Sequence, residues 1–72
     1  MDEKTIQRQA VLNYIEEHGS ITTKEAINKL GILSPTKRIS ELRRLGYEFN
    51  EEWITVKTRY GNGKTKVKRY SL

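Results

Sequence analysis

Residues 34–46, SPTKRISELRRLG, carry side chains whose types and spacing suit hydrogen bonding to a polyanion. Lysine and arginine donate to guanine acceptors and to phosphate, and serine or threonine hydroxyls contact several bases or a thymine methyl group. At about 100° per residue, four such side chains fall on or beside one side of a helical wheel: Thr36, Lys37, Ser40 and Arg44. The segment therefore predicts a helix with a polar, basic outer side.

The start and the end of this helix are also indicated by residue type. Ser34 suits the N-cap, Pro35 suits the first helical position, and Gly46 suits the left-handed residue beyond the end. Pro35, Ile39 and Leu42 share the opposite side, so the helix can pack on a small core. A lone basic helix is more often a solvated amphipathic helix, so the flanking elements must decide between the two interpretations.

The composition describes a small domain without metal or disulfide chemistry. The chain has 72 residues, no cysteine and one histidine, His18, which excludes the usual cysteine-rich or histidine-rich metal cages. No apolar run approaches the roughly 20 residues of a membrane span. Charges also interrupt the N-terminal segment, unlike the apolar region of a signal peptide. We therefore expect one cytoplasmic domain over residues 1–72, with no membrane, metal or cofactor.

The net charge of +5 is unevenly distributed along the chain. Residues 1–33 carry four basic and five acidic side chains, whereas residues 34–72 carry ten basic and four acidic ones. The excess of positive charge coincides with the basic helix and with everything that follows it. Such an asymmetry favours a polyanionic partner over a role in solubility alone.

Two helices and a short extended segment are predicted before the basic helix. The first helix is capped by Asp2 or Thr5, runs to about His18 and ends at Gly19. Its apolar residues recur at helical spacing and include Ile6, Ala10, Val11, Tyr14 and Ile15. Residues 20–22 are too short for more than a brief extended segment, and Ile21 is expected in the core.

The second helix is predicted to run to Leu30 and to stop at Gly31. Thr22 or Thr23 caps it, and the sequence Thr22-Thr23-Lys24-Glu25 resembles a capping box. Residues 31–34 then form a four-residue turn before the basic helix. Because helix N-termini bind anions, Thr22 and Thr23 are also candidate phosphate anchors, although such threonines more often serve only as caps.

After Gly46 the apolar pattern changes to the period of two that is typical of strands. One arm begins at Tyr47 and includes Ile54 and Val56, and Gly61-Asn62-Gly63 supplies a tight turn. Residues 64–72 return, with Tyr70 and Leu72 on one face. Because a lone hairpin is marginally stable, we expect its apolar face to pack on the helices. Val67 is off the pattern, which predicts either a bulge or a partly exposed side chain. Trp53 is off it too, and covers either the other side of the hairpin or the first helix.

The hairpin is strongly basic, with no acidic residue after Glu52. Its basic residues are Lys57, Arg59, Lys64, Lys66, Lys68 and Arg69. A basic edge that deters pairing between sheets is one interpretation of this pattern. Binding to a polyanion is the other, and the preceding basic helix favours it, because surfaces that serve solubility normally mix both signs of charge.

The order helix, short strand, helix, turn, helix, hairpin resembles the winged helix-turn-helix superfamily over nearly the whole chain. The residues that carry this resemblance are Gly19-Ser20-Ile21-Thr22, Glu25-Ala26, Leu30-Gly31-Ile32, Arg38-Ile39-Ser40-Glu41-Leu42-Arg43, Gly46-Tyr47, Trp53-Ile54-Thr55-Val56 and Arg69-Tyr70-Ser71-Leu72. More narrowly, the chain is similar to short helix-turn-helix proteins of phages and prophages. The resemblance implies an α+β fold with a C-terminal two-stranded hairpin, the wing, and a protein that binds double-stranded DNA as a transcriptional regulator or excisionase-like architectural factor.

In that arrangement the third helix enters the major groove and the wing lies on the backbone or the minor groove. The expected base contacts are Thr36, Lys37, Ser40 and Arg44. The expected backbone contacts are Thr22, Thr23, Arg38 and Arg43, with internal pairing of Arg38 to Glu41 or Glu48 as an equal alternative. The expected wing contacts are Lys57, Arg59, Asn62, Lys64, Lys66 and Lys68.

Two other classes of function were compared with DNA binding. An enzyme is disfavoured, because the sequence offers no paired carboxylates, metal set, phosphate loop or nucleophile beside a base. A protein-binding module that recruits or inhibits a nucleic-acid enzyme is the stronger rival. Its contact would be an acidic and aromatic patch formed by Glu48, Glu51, Glu52 and Trp53. Homodimers and phage or host proteins also stay open as partners.

Overall fold

A computed structural model describes residues 2–58 and 63–72 of the chain. The elements, in chain order, are α1 (Glu3–His18), β1 (Ile21–Thr22), α2 (Thr23–Leu30), α3 (Pro35–Arg44), β2 (Asn50–Lys57) and β3 (Lys64–Ser71). This confirms the α+β class with three helices, a short strand after the first of them and a C-terminal hairpin. Of the predicted tight turn, Gly61 and Asn62 lie outside the described residues.

Helix α1 begins and ends through local hydrogen bonds. Asp2, not Thr5, is the N-cap, and its carboxylate accepts a 2.8 Å hydrogen bond from the Thr5 N–H. That hydrogen bond lowers the pKa of Asp2. At the other end Gly19 adopts a left-handed φ of +88°, and its N–H donates to the carbonyl of Ile15. The glycine thus satisfies one of the open carbonyls of the last turn.

Helix α2 begins with a reciprocal capping box. Glu25 N–H donates to the Thr22 hydroxyl at 3.0 Å, and Thr22 N–H donates to the Glu25 carboxylate at 2.9 Å. The Tyr14 hydroxyl of α1 donates to the same carboxylate at 2.8 Å. Although burial opposes it, hydrogen bonding from Thr22 and Tyr14 lowers the pKa of Glu25. The box therefore starts α2 and also ties it to α1, while Thr23 is the first helical residue.

Helix α3 has its predicted bounds but a different start from the one expected. Ser34 occupies the N-cap position, yet its side chain makes no capping hydrogen bond. Its φ and ψ are −129° and 69°, far from the ψ of about 160° found at the caps of α1 and α2. The hydroxyl is therefore not aligned with the first turn, and the fixed φ of Pro35 favours the helical start instead. Gly46 follows the helix with the predicted left-handed φ, +107°.

The strands form one antiparallel sheet in the order β1-β3-β2. The hairpin is thus extended by β1, where Ile21 pairs with Tyr70. The sequence predicted that this strand begins at Tyr47. Strand β2 instead begins at Asn50, so Tyr47 and Phe49 belong to the connection before it. The register of β2 and β3 runs without a bulge, and Val67 is instead partly exposed, which was the other expectation.

The apolar residues of the hairpin lie on both of its faces and not, as the sequence predicted, on one. In the register, Tyr70 lies opposite Glu51, and Val67 lies opposite Ile54. Side chains alternate between the two faces of a strand, so Tyr70 and Ile54 lie on different faces. Tyr70 is buried in the core, with Phe49 edge-on to it at 6.3 Å between ring centroids. Of the residues expected on the face that packs on the helices, Tyr70 is therefore in the core, whereas the expectation for Ile54 and Val56 is wrong.

The core gathers side chains from every element except β2. Its buried members are Val11, Ile15, Ile21, Ala26, Ile32, Ile39, Leu42 and Tyr70. The apolar side of α3 predicted from the sequence, Pro35 with Ile39 and Leu42, is buried. Over residues 2–58 and 63–72, no helix combines the length and apolar character needed to cross a membrane.

The capping box supplies a test of how the second helix is held. Thr22→Ala is expected to lower the free energy of unfolding by about 1 kcal/mol, because α2 loses its N-cap. Thr23→Ala, which removes the neighbouring hydroxyl but no cap, is expected to change it by less than about 0.5 kcal/mol. Urea unfolding followed by circular dichroism measures both. Equal losses in the two variants would contradict this assignment of the cap, whereas Thr22→Ser should retain most of the stability.

Candidate nucleic-acid interface

The outward side of α3 is exposed, polar and basic. Thr36, Lys37, Ser40 and Arg44 are all exposed and line one open groove, to which Lys4 of α1 also contributes. Burial of the opposite, apolar side of α3 fixes this orientation. The structure thus brings together the four residues that the sequence singles out as base contacts. Lys4 is an addition that the spacing within α3 could not indicate.

One carboxylate, that of Glu41, connects α3 to α1. Glu41 accepts a 2.9 Å hydrogen bond from Arg8 of α1, and its oxygen lies 3.2 Å from Arg38 Nε, without hydrogen-bond geometry. The hydrogen bond from Arg8, aided by the charge of Arg38, lowers the pKa of Glu41. Arg38 itself is only 6% exposed. Its expected contact with phosphate is therefore wrong, and the alternative of internal pairing with Glu41 is the one observed.

A second carboxylate joins α3 to the hairpin. Glu51 of β2 forms an ion pair with Arg43, in the last turn of α3, and its other oxygen lies 3.2 Å from Lys68 Nζ of β3. Hydrogen bonding from Arg43, and then from Lys68, lowers the pKa of Glu51. Arg43 and Lys68 are therefore already neutralised in part. A phosphate would have to compete with Glu51 for either of them.

All the described lysines of the hairpin project from a single face of the ribbon. Lys57, Lys64, Lys66 and Lys68 share the face of Tyr70, and we call this surface the lysine face. Lys57 and Lys64 lie directly opposite each other in the register. The face is directed toward α3, since Glu51, on the same face, reaches Arg43. Arg69 lies on the other face and forms an ion pair with Glu52.

An open groove separates the lysine face from the N-terminal ends of α2 and α3. Its lining includes Thr23, Thr36, Trp53, Lys66 and Lys68. Trp53 is therefore on the lysine face and not on α1. Its opposite parity to Ile54 was the signal that could have placed it there, but the sequence did not reveal which face turns toward α3.

The two threonines expected to contact phosphate differ in exposure. Thr22 is buried and its hydroxyl caps α2, so its side chain is not available to phosphate, which corrects that expectation. Thr23 is partly exposed beside the groove. Arg59 and Asn62 lie outside the described residues.

The acidic and aromatic patch considered for a protein partner is divided by the strand. Glu51 and Trp53 lie on the lysine face, whereas Glu52 lies on the opposite face. Both carboxylates are also engaged, Glu51 by Arg43 and Lys68, and Glu52 by Arg69. The residues do not form one continuous acidic surface.

A family model described as a winged helix-turn-helix domain matches residues 6–72. The chain belongs to this family. No curated protein and no solved structure matches the chain. In this winged helix-turn-helix domain, α3 takes the position of the recognition helix, and the β2–β3 hairpin is the wing. The fold is typical of proteins that bind DNA without catalysis.

The described cations of the recognition helix and the wing fall into two groups. Those on the flanks of the recognition helix and near its junction with the wing are paired with Glu41, Glu51 or Glu52. The second group consists of five cations on the recognition helix and the lysine face that form no ion pair within the part of the chain that the structure describes. They are Lys37, Arg44, Lys57, Lys64 and Lys66. Positive charge is thus neutralised between elements and left uncompensated on the outward side of α3 and on the lysine face.

The two carboxylates that hold the recognition helix should respond separately to substitution. Arg43→Ala is expected to raise the pKa of Glu51 toward the ordinary 4.5, and Arg8→Ala that of Glu41. Because folding lowers the pKa values of Glu41 and Glu51, the two pairs stabilise the protein above pH 4.5. This stabilisation is lost as the pH falls through the lowered pKa values. Carboxyl carbon shifts in an NMR titration measure both. If Arg43→Ala raised the pKa of Glu41 as much as that of Glu51, the two ion pairs would not be independent.

Proposed function

We propose that this protein binds double-stranded DNA, with α3 in the major groove and the lysine face of the wing on the adjacent backbone or minor groove. The observation that carries the proposal is the placement of uncompensated charge. Lys37 and Arg44 line the groove along α3, and Lys66 lines the groove beside the lysine face, which also carries Lys57 and Lys64. None of these five cations has an acidic partner among the described residues. A duplex presents phosphates on both sides of a major groove and base edges between them.

The outer side of α3 carries the side chains that would select a sequence. Lys37 suits the acceptors of guanine, and the hydroxyls of Thr36 and Ser40 suit several bases or a thymine methyl group. Arg44, at the end of the helix, reaches either a base or a phosphate. The positions of these residues on a rigid helix support direct readout, because the Glu41 and Glu51 clamps hold α3 to α1 and to the wing.

The wing carries the side chains that would hold the backbone. Lys57 and Lys64 are paired directly across the strands, which is unfavourable for like charges. A phosphate near this pair would relieve that repulsion, so the wing favours an anion more than four dispersed lysines would. Phosphate contacts align a protein on DNA but carry no sequence information, so the choice of sequence would rest on α3.

We further propose that the protein acts as a transcriptional regulator or as an excisionase-like architectural factor of a phage or other mobile element. Both roles require the same DNA contacts, and they differ in what happens to the duplex. An architectural factor bends its site, whereas a simple repressor needs only to occupy it. Migration of complexes with the site placed at different positions along a fragment separates the two.

Removal of the cations on the recognition helix tests the proposed function. Lys37→Ala with Arg44→Ala is expected to weaken binding to a duplex selected from a random library by about tenfold or more, because base contacts are lost. Fluorescence anisotropy at low salt measures the affinity. Lys29→Ala, at the end of α2 remote from Thr23 and the groove, is the control and should change affinity far less. Unchanged binding in the double variant would instead favour a protein-binding module.

The salt dependence of binding tests the role of the wing. If each of the five uncompensated cations neutralises one phosphate, a plot of log affinity against log salt concentration should have a slope of about −4.5. Replacing Lys57, Lys64 and Lys66 by alanine should reduce the magnitude of that slope by about 2.7 and preserve sequence preference. Anisotropy titrations at several salt concentrations on the selected and on scrambled duplexes measure both. A loss of preference would show that the wing reads bases.

A further inference from the structure

Trp53 is the only tryptophan of the chain, and it lies on the lysine face of the wing with 63% of its surface exposed. Its neighbour Ile54 points to the other face, so the exposure of Trp53 is a consequence of the register and not of a frayed strand. The indole takes no part in the hydrophobic core. The indole is therefore available for contact with a ligand.

The indole is fixed in place by a chain of charged contacts that begins on the recognition helix. Lys68 lies directly across the strands from Trp53, and its ammonium is 5.3 Å from the centroid of the indole ring. The same ammonium lies 3.2 Å from the carboxylate of Glu51, which also pairs with Arg43 of α3. Arg43, Glu51, Lys68 and Trp53 thus connect the recognition helix with the indole.

The groove beside Trp53 combines polar donors with the apolar surface of the indole. Thr36 comes from α3, Thr23 from the start of α2, and Lys66 from the wing. Hydroxyl and ammonium groups suit phosphate, and aromatic rings pack on the bases and sugars of nucleic acids. The three elements that surround the indole therefore offer the two kinds of contact that one DNA strand requires.

We propose that Trp53 contacts DNA directly, with its indole packed on the sugars of the strand that passes between the recognition helix and the wing. The phosphates of that strand lie against Thr23, Thr36 and Lys66. This inference rests on the proposed function and goes beyond it, because it adds an apolar contact to those of the lysines and names the side chain that makes it. It also assigns Lys68 a second role, as the group that positions the indole.

Intrinsic fluorescence tests the inference, since all tryptophan emission comes from Trp53. Addition of an unlabelled duplex to the full chain should change the emission and reduce quenching by acrylamide several-fold, with the midpoint of binding seen by anisotropy of the labelled duplex. Unchanged emission and unchanged acrylamide quenching at saturating duplex would overturn the inference. Because anisotropy reports binding separately, the proposed function would stand in that case, and only the absence of an anisotropy change would remove both.

Substitution separates an apolar contact from a charge effect. Trp53→Ala should weaken duplex binding by about tenfold with the salt slope unchanged, whereas Lys66→Ala should reduce the magnitude of the slope by about 0.9. Trp53→Phe should recover most of the affinity, because it keeps an aromatic face. Ile54→Ala, on the opposite face of the same strand, is the matched control and should leave affinity unchanged. Circular dichroism establishes that each variant is folded.

Two results of that series would contradict the inference. Equal losses of affinity in Trp53→Ala and Ile54→Ala would indicate a structural role of the strand and not a contact. A loss confined to single-stranded DNA, with duplex binding intact, would assign the indole to a different ligand.

Discussion

Burial of Ile39 and Leu42 under α3 is the contact on which the arrangement of the whole molecule depends. Both side chains are almost completely excluded from solvent, together with Pro35 at the start of the helix. Burial of each such side chain is worth about 1.5–3 kcal/mol, so rotating α3 about its axis would be costly. The core beneath the helix therefore presents its polar side outward.

Carboxylates at the junctions between elements determine which positive charges remain available. Glu41 engages Arg8 and Arg38 where α3 meets α1, and Glu51 engages Arg43 and Lys68 where α3 meets the wing. Exposed ion pairs contribute little to stability, so their main effect here is positional. They orient α3 relative to its neighbours and withdraw cations from the surface. Among the described cations of α3 and the wing, those that remain unpaired lie on the outward side of α3 and on the lysine face.

Pairing with β1 explains how the two-stranded wing is attached to the core of so small a protein. Strand β1 pairs with β3 only at Ile21 and Thr22, next to Tyr70 in the core. The wing is thus anchored at its base, next to the core. Its stability rests on cross-strand pairs, among them the Ile54 and Val67 pair on the face turned away from the core.

Local structure was largely determined by the sequence itself. The capping box of α2, the left-handed Gly19 and Gly46, and the buried stripe of α3 all involve residues within a few positions of one another. Backbone preferences and side-chain hydrogen bonds act at that range, so residue types and spacing predict them. The family resemblance pointed to the same architecture. Even at this range Ser34 was an exception, since its backbone angles and not its residue type prevented capping.

Only the tertiary structure decided which side of the wing turns toward α3 and which cations are neutralised. Glu41 meets Arg8 across 33 positions of the sequence, and Glu51 meets Lys68 across 17. The pairing of Tyr70 with Ile21 fixes the face of every wing residue at once, because a strand alternates with a period of two. A sequence shows that alternation but not the partner strand that sets its phase. For this reason the burial of Arg38 and the position of Trp53 beside the groove became visible only when distant segments were packed together.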